Sequence, residues 1–193
     1  MEKEYSLNFE SDELRAYSKR IFNTLSQISQ VKIDDAIKII LDTASKGGSI
    51  WIIGNGGSAA TASHFAADLS RCVDQFGTPI RAISLCDNGA LISAIGNDFG
   101  FEYIYLKQLV NNVKSSDLLF VISASGNSIN LIKALDYCNS RNITSIALTG
   151  FDGGQAAKIC SHSLNLRTHI GDYGVAEDSH SVVCHYLSSK LRS

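Results

Sequence analysis

A chain of 193 residues with 45% hydrophobic and 19% charged side chains has the make-up of one globular domain, long enough to bury a substantial core, and not of a disordered chain. Lysine plus arginine number 17 against 19 for aspartate plus glutamate, a net charge of -2 without a basic cluster, so nucleic acid and acidic membrane surfaces have no electrostatic footing as partners. No apolar run approaches the roughly 20 residues that cross a bilayer, the first residues lack the layout of a signal peptide, and five scattered cysteines without a Cys-x-x-Cys pattern read as free thiols of a cytoplasmic protein.

In chain order, Ser11 is placed to cap a helix whose first turn carries Asp12 and Glu13, which suit the helix dipole. Leu14, Tyr17, Ile21, Leu25 and Ile28 recur at helical spacing, a stripe that either packs on its own domain or meets a partner subunit. Ile37, Ile40, Leu41 and Ala44 mark a second helix, closed by Gly47-Gly48. From residue 49 the pattern changes to short apolar runs at 49–53, 80–85, 118–122 and 143–148, with a weaker one at 163–166. Helical segments fall between and after them, near 58–74, 88–95, 101–113, 128–140, 152–159 and 176–191. Strands apolar on both faces and alternating with helices predict an α/β domain, a five-stranded parallel sheet in a three-layer α/β/α sandwich behind a helical N-terminal extension.

In such sheets ligands gather beyond the carboxyl ends of the strands. The first strand exits into Gly54-Asn55-Gly56-Gly57-Ser58, the third into Ser123-Ala124-Ser125-Gly126-Asn127-Ser128, and the fourth into Thr149-Gly150-Phe151-Asp152-Gly153-Gly154, so all three loops are expected on one edge. Glycines admit close backbone approach, while hydroxyls and helix N-termini offer neutral donors to phosphate oxygens. The same serines would also serve an ordinary capped turn. The loops fit neither the lysine-containing P-loop nor the dinucleotide fingerprint, whose third glycine would fall on Ala59. His64 and Asp68 share a helix face, as metal ligands, a general-base pair or a surface pair. Glu177, Asp178, His180 and His185 lie on the last helix, and His64, Asp68, Glu177 and His185 together would make a four-ligand divalent site, against the plainer alternative of a solvated face.

The Asn-Gly-Gly-Ser loop, His64-Phe65-Ala66, Gly96-Asn97-Asp98-Phe99-Gly100, the serine loop and Leu148-Thr149-Gly150 resemble, in order and over roughly residues 10–191, the sugar isomerase (SIS) domains, and more narrowly the phosphoheptose isomerases. The resemblance implies a single SIS domain over 1–193, with residues 1–47 engaged in a homotetramer and 48–193 forming the sugar-phosphate core. It implies that Ser123, Ala124, Ser125 and Ser128 hold the phosphate and that Asn55, Gly56, Gly57, Ser58, Asn97 and Asp98 line the sugar, with Asp68 and Glu177 reaching it too. It further implies one zinc ion per subunit on His64, Asp68, Glu177 and His185, Asp68 as the proton-transferring base with Glu177 in reserve, and His185 as its acid–base partner. The implied reaction turns sedoheptulose 7-phosphate into a glycero-manno-heptose 7-phosphate through an enediol, in heptose biosynthesis for lipopolysaccharide or capsule. Non-catalytic SIS proteins that sense phosphosugars, or that assist a replication initiator, are the alternative; four retained ionisable positions favour an enzyme. Three positions depart from the family: 68 is usually glutamate, 177 usually glutamine, and the aspartate usual at 174 is glycine here. They suggest a divergent subgroup.

Overall fold

The structure, a computed structural model, describes residues 11–72 and 77–192. Its five strands, β1 (Ser49–Gly54), β2 (Arg81–Ser84), β3 (Leu118–Ser123), β4 (Thr144–Thr149) and β5 (His162–Asn165), form one sheet in the order β2-β1-β3-β4-β5. Every pairing is parallel. The helices are α1 (Ser11–Leu25), α2 (Gln30–Ser45), α3 (Gly57–Leu69), α4 (Gly89–Phe99), α5 (Leu106–Asn112), α6 (Ile129–Ser140), α7 (Gly154–Ile159) and α8 (Tyr173–Leu191).

Alternation along the central strands divides the core in two. Ile50 and Ile52 of β1 and Leu118, Phe120 and Ile122 of β3 face α2, α3 and α8, which contribute Ile40, Phe65 and Leu187 among others. Trp51, Ile53, Leu119 and Val121 face the opposite way, against Leu109 of α5, Leu131 and Leu135 of α6 and Ala156 of α7. All residues of β1 and β3 are buried, which is why they read as unbroken apolar runs. At the amino ends, the buried Asp117 carboxylate accepts from the Ser49 and Lys114 amides and the Trp51 indole, each at 2.8 Å.

Several boundaries differ from the sequence expectation. Ser11 belongs to α1, and the capping role expected of its side chain lies outside the described residues, as do positions 73–74 of the helix expected after the glycine loop. The segment 101–113 divides into a 3₁₀ turn, Phe101–Tyr103, and α5. The break buries Tyr105, whose hydroxyl donates to the Gly54 carbonyl at the end of β1. α8 starts at Tyr173, three residues earlier than the apolar spacing suggests. α1 lies along α8, tied by Tyr17 donating to Asp178 at 2.6 Å and Arg20 to Asp172 at 2.7 Å, while Leu14 and Phe22 stay exposed.

Candidate active site

The chain reverses direction across the sheet between β1 and β3, one neighbour leading to β2 and the other to β4. That switch point opens a crevice at the carboxyl ends of the two strands. A cavity of about 160 Å³ lies there, lined by Asn55 and Ser58 from the glycine loop, Ser123, Ser125 and Ser128 from the serine loop, and Glu177 from α8. Ala124, Ile122 and Tyr173 complete it, and Glu177 is the only charged side chain among its lining residues.

The serine loop is held internally. The Ser123 and Ser125 hydroxyls accept from the amides of Gly126 at 3.0 Å and Asn127 at 3.3 Å, and so remain able to donate into the cavity. Ser128 precedes α6 without capping it through its side chain, leaving its hydroxyl on the cavity wall. The two loops are joined by a reciprocal amide pair: Asn55 Nδ2 donates to Asn130 Oδ1 at 2.9 Å, and Asn130 Nδ2 donates back at 2.8 Å. Nothing in the period or composition of α6 singles out Asn130, and the sequence reading missed it, as it missed Tyr173.

α3 and α8 run side by side in the same direction. Glu177 meets Gly57, Ser181 meets Thr61 at 3.4 Å between hydroxyls, and His185 meets His64. A Cβ on Gly57 would come within 2.3 Å of Glu177 Oε2, so the absent side chain is what lets the carboxylate settle at the start of α3. Two turns on, the imidazoles of His64 and His185 meet edge to face, centroids 4.9 Å apart. Their Nε2 atoms lie 3.7 and 4.0 Å from Asp68 Oδ2, and the three residues line a cavity of about 190 Å³. Asp68 is only 8% exposed, and its other oxygen accepts from Arg192 Nη2 at 2.9 Å. Arg192 follows His185 by seven residues, two turns of helix, a spacing that could have marked it.

Comparison with known proteins bears on what this arrangement is. Residues 13–150 match the SIS domain family. The chain is 35% identical over 161 residues to the phosphoheptose isomerase of Helicobacter hepaticus, covering 83% of this chain and 81% of that one. It is 36% identical over 162 residues to that of Campylobacter jejuni subsp. jejuni serotype O:6, with coverage of 84% and 86%. The chain belongs to the phosphoheptose isomerase family. The solved phosphoheptose isomerase of Neisseria gonorrhoeae superposes with a TM-score of 0.83 at 29% identity, over 94% of this chain and 97% of that one. The five-stranded parallel sheet flanked by helices is thus the phosphoheptose isomerase fold.

The residues present suit a divalent ion of the kind expected for a phosphoheptose isomerase. Separations of 3.7 and 4.0 Å exceed hydrogen-bond length, so these atoms converge without bonding one another. Ligands about 2.1 Å from a tetrahedral ion stand roughly 3.4 Å apart, a small closure from what is seen. Two imidazoles and a carboxylate form the group of His64, Asp68 and His185; Glu177 is not part of it among the described residues. Asn97 and Asp98 lie exposed on α4, bonded to each other at 2.9 Å, and are not among the lining residues of either cavity. Gly56, with φ of +53°, and Gly57 shape the loop rather than its wall.

Proposed function

We propose that the chain is an aldose–ketose isomerase that interconverts sedoheptulose 7-phosphate and a glycero-manno-heptose 7-phosphate. The observation that carries this reading is the pairing of α3 and α8, which sets a hydroxyl-rich cavity at the switch point beside a converging His64–Asp68–His185 group. Serine hydroxyls and the α6 N-terminus hold the phosphate, and Asn55, Gly56, Gly57 and Ser58 lie along the sugar. Binding energy spent on the remote phosphate positions the carbons that react.

The reaction moves one proton between C1 and C2 through an enediol and a second between O1 and O2. A carboxylate suits the first transfer and an imidazole the second, for which we assign His185. His64, Asp68 and His185 would hold zinc or a related ion, with Glu177 joining only by moving from its place at Gly57. When bound, the ion supplies positive charge for the oxygen that becomes negative. Asn97 and Asp98 would reach the sugar from a neighbouring subunit of a homotetramer, in which the exposed Leu14 and Phe22 of α1 also find cover. Residues 1–47 then act in assembly and 48–193 in sugar-phosphate binding. We place the protein in the cytoplasm, where its five free cysteines stay reduced. No helix among the described residues is long and apolar enough to cross a membrane.

Turnover of sedoheptulose 7-phosphate by the purified protein, with and without a chelator, tests the proposal. Activity lost to the chelator and restored by zinc is the expected result, and absence of any turnover would sink it.

A further inference from the structure

Two carboxylates face the site, and their surroundings differ. Both oxygens of Asp68 are engaged. Oδ1 accepts from Arg192 Nη2 at 2.9 Å, and Oδ2 is directed at the imidazoles of His64 and His185, 3.7 and 4.0 Å away. Asp68 also lines the cavity of the imidazoles rather than that of the serine loop. A carboxylate so placed has an orienting partner on one side and an ion-binding group on the other, the arrangement usual for a metal ligand.

Glu177 is the opposite case. It stands on the serine-loop cavity with Asn55, Ser58, Ser123, Ser125 and Ser128, where no other charged side chain is present. Among the described residues no hydrogen bond or ion pair engages its carboxylate, and only the bare Cα of Gly57 lies against it. Its oxygens are therefore free to meet a carbon-bound proton of a ligand anchored in the same cavity, which geometry requires of a base before any other property counts.

We infer that Glu177 is the catalytic residue that carries the proton between C1 and C2, and that Asp68, fixed by the positioning residue Arg192, serves the ion instead. This rests on the isomerase reading above and assigns the two carboxylates the other way round from the family resemblance. In the ketose-to-aldose direction a Glu177 oxygen forms an O–H bond as a C1–H bond breaks. The electron pair passes into the C1–C2 bond and the C2 carbonyl, giving the enediol once its oxygen is protonated. Glu177 then returns the proton to C2 while the O1 proton leaves and C1 becomes the aldehyde carbon. The side chain ends as it began, and no oxidant or reductant is consumed.

The test compares Glu177→Gln and Asp68→Asn as full-length proteins, using sedoheptulose 7-phosphate in heavy water and zinc titrations of the metal-free forms. For Glu177→Gln we expect kcat to fall about 10²- to 10⁴-fold, deuterium incorporation at C2 to vanish, and zinc affinity and sugar-phosphate binding to stay within about twofold, which also certifies folding. For Asp68→Asn we expect zinc affinity to fall about 10- to 100-fold, with turnover and deuterium incorporation recovering at saturating zinc. Near-normal incorporation by Glu177→Gln overturns the assignment. So does an Asp68→Asn protein that binds zinc normally yet exchanges no deuterium. A wild-type protein that turns over no heptose phosphate overturns the isomerase reading itself, before the identity of the base arises.

Discussion

Arg192 Nη2 donates to Asp68 Oδ1 across 2.9 Å, joining the last residue of the α8 region to the last turn of α3. The pair is partly sheltered, with Asp68 side-chain exposure of 11% against 48% for Arg192. The guanidinium fork fixes which carboxylate oxygen remains for the imidazoles. Replacing Arg192 by Gln is expected to weaken zinc binding about tenfold, the lower range for loss of an orienting partner. Arg192→Lys, which keeps the charge and loses the fork, should recover part of that. Calorimetric titration of the metal-free proteins measures both; a purely structural Arg192 would shift the melting temperature and leave zinc affinity alone.

Gly57→Ala probes the Glu177 contact without altering its chemistry. The new methyl would fall 2.3 Å from Oε2, so the carboxylate must swing aside. Because it is the far end of a flexible side chain, the fold should tolerate the change, with stability altered by less than about 1 kcal/mol. A misplacement of about 1 Å at a reacting group costs on the order of 100-fold in rate. Steady-state kinetics alongside urea denaturation should show that separation between activity and stability.

His180 sets an acid limit on stability. It is fully buried in α8, and neither ring nitrogen makes a hydrogen bond of ordinary geometry. Burial lowers its pKa from 6.5 to about 4, a backbone contact with Thr149 opposing the shift. Protonation therefore favours the unfolded chain: the contribution is complete above pH 6.5, shrinks as pH falls from there, and is gone below about 4. The full swing is about 3 kcal/mol. Unfolding free energies across this range should slope for the wild type and flatten for His180→Gln; parallel curves would show that His180 plays no part.

At the opposite edge of the sheet, Asp117→Ala removes the shared acceptor of two backbone amides and the Trp51 indole. Buried donors left without a partner cost about 1–3 kcal/mol each. A loss of about 3–5 kcal/mol is expected in urea unfolding, with little change in the ligand-binding loops on the far edge. Asp117→Asn, which keeps one acceptor oxygen, should lose less.

Much of this fold was legible because burial on both faces makes β1 and β3 unmistakable: all six residues of each strand are inside. β5 showed only faintly because it is the edge strand and three of its four residues are half-exposed. The division of the 101–113 segment could not be read, since it follows from Tyr105 reaching Gly54, a contact that spans 51 residues. The same holds for the site. Helical spacing put His64 beside Asp68, yet their meeting with His185 depends on α3 and α8 lying alongside one another, which no local pattern encodes. The Asn55–Asn130 pair and the Arg192–Asp68 bond are likewise contacts between distant segments. Gly174 has a reason only in three dimensions: a Cβ there would stand 2.9 Å from the Tyr17 hydroxyl, which donates to Asp178 and whose pKa that bond, foremost, raises to about 12.

The matched course of α3 and α8 makes the interval between Glu177 and His185 a ruler of fixed length. One residue inserted within it would swing His185 about 100° around the helix axis and carry its ring away from His64. Drift in this subgroup is thereby confined to exchanging side chains at set marks, as at 68, 174 and 177, while additions or deletions are steered into the loops between helices.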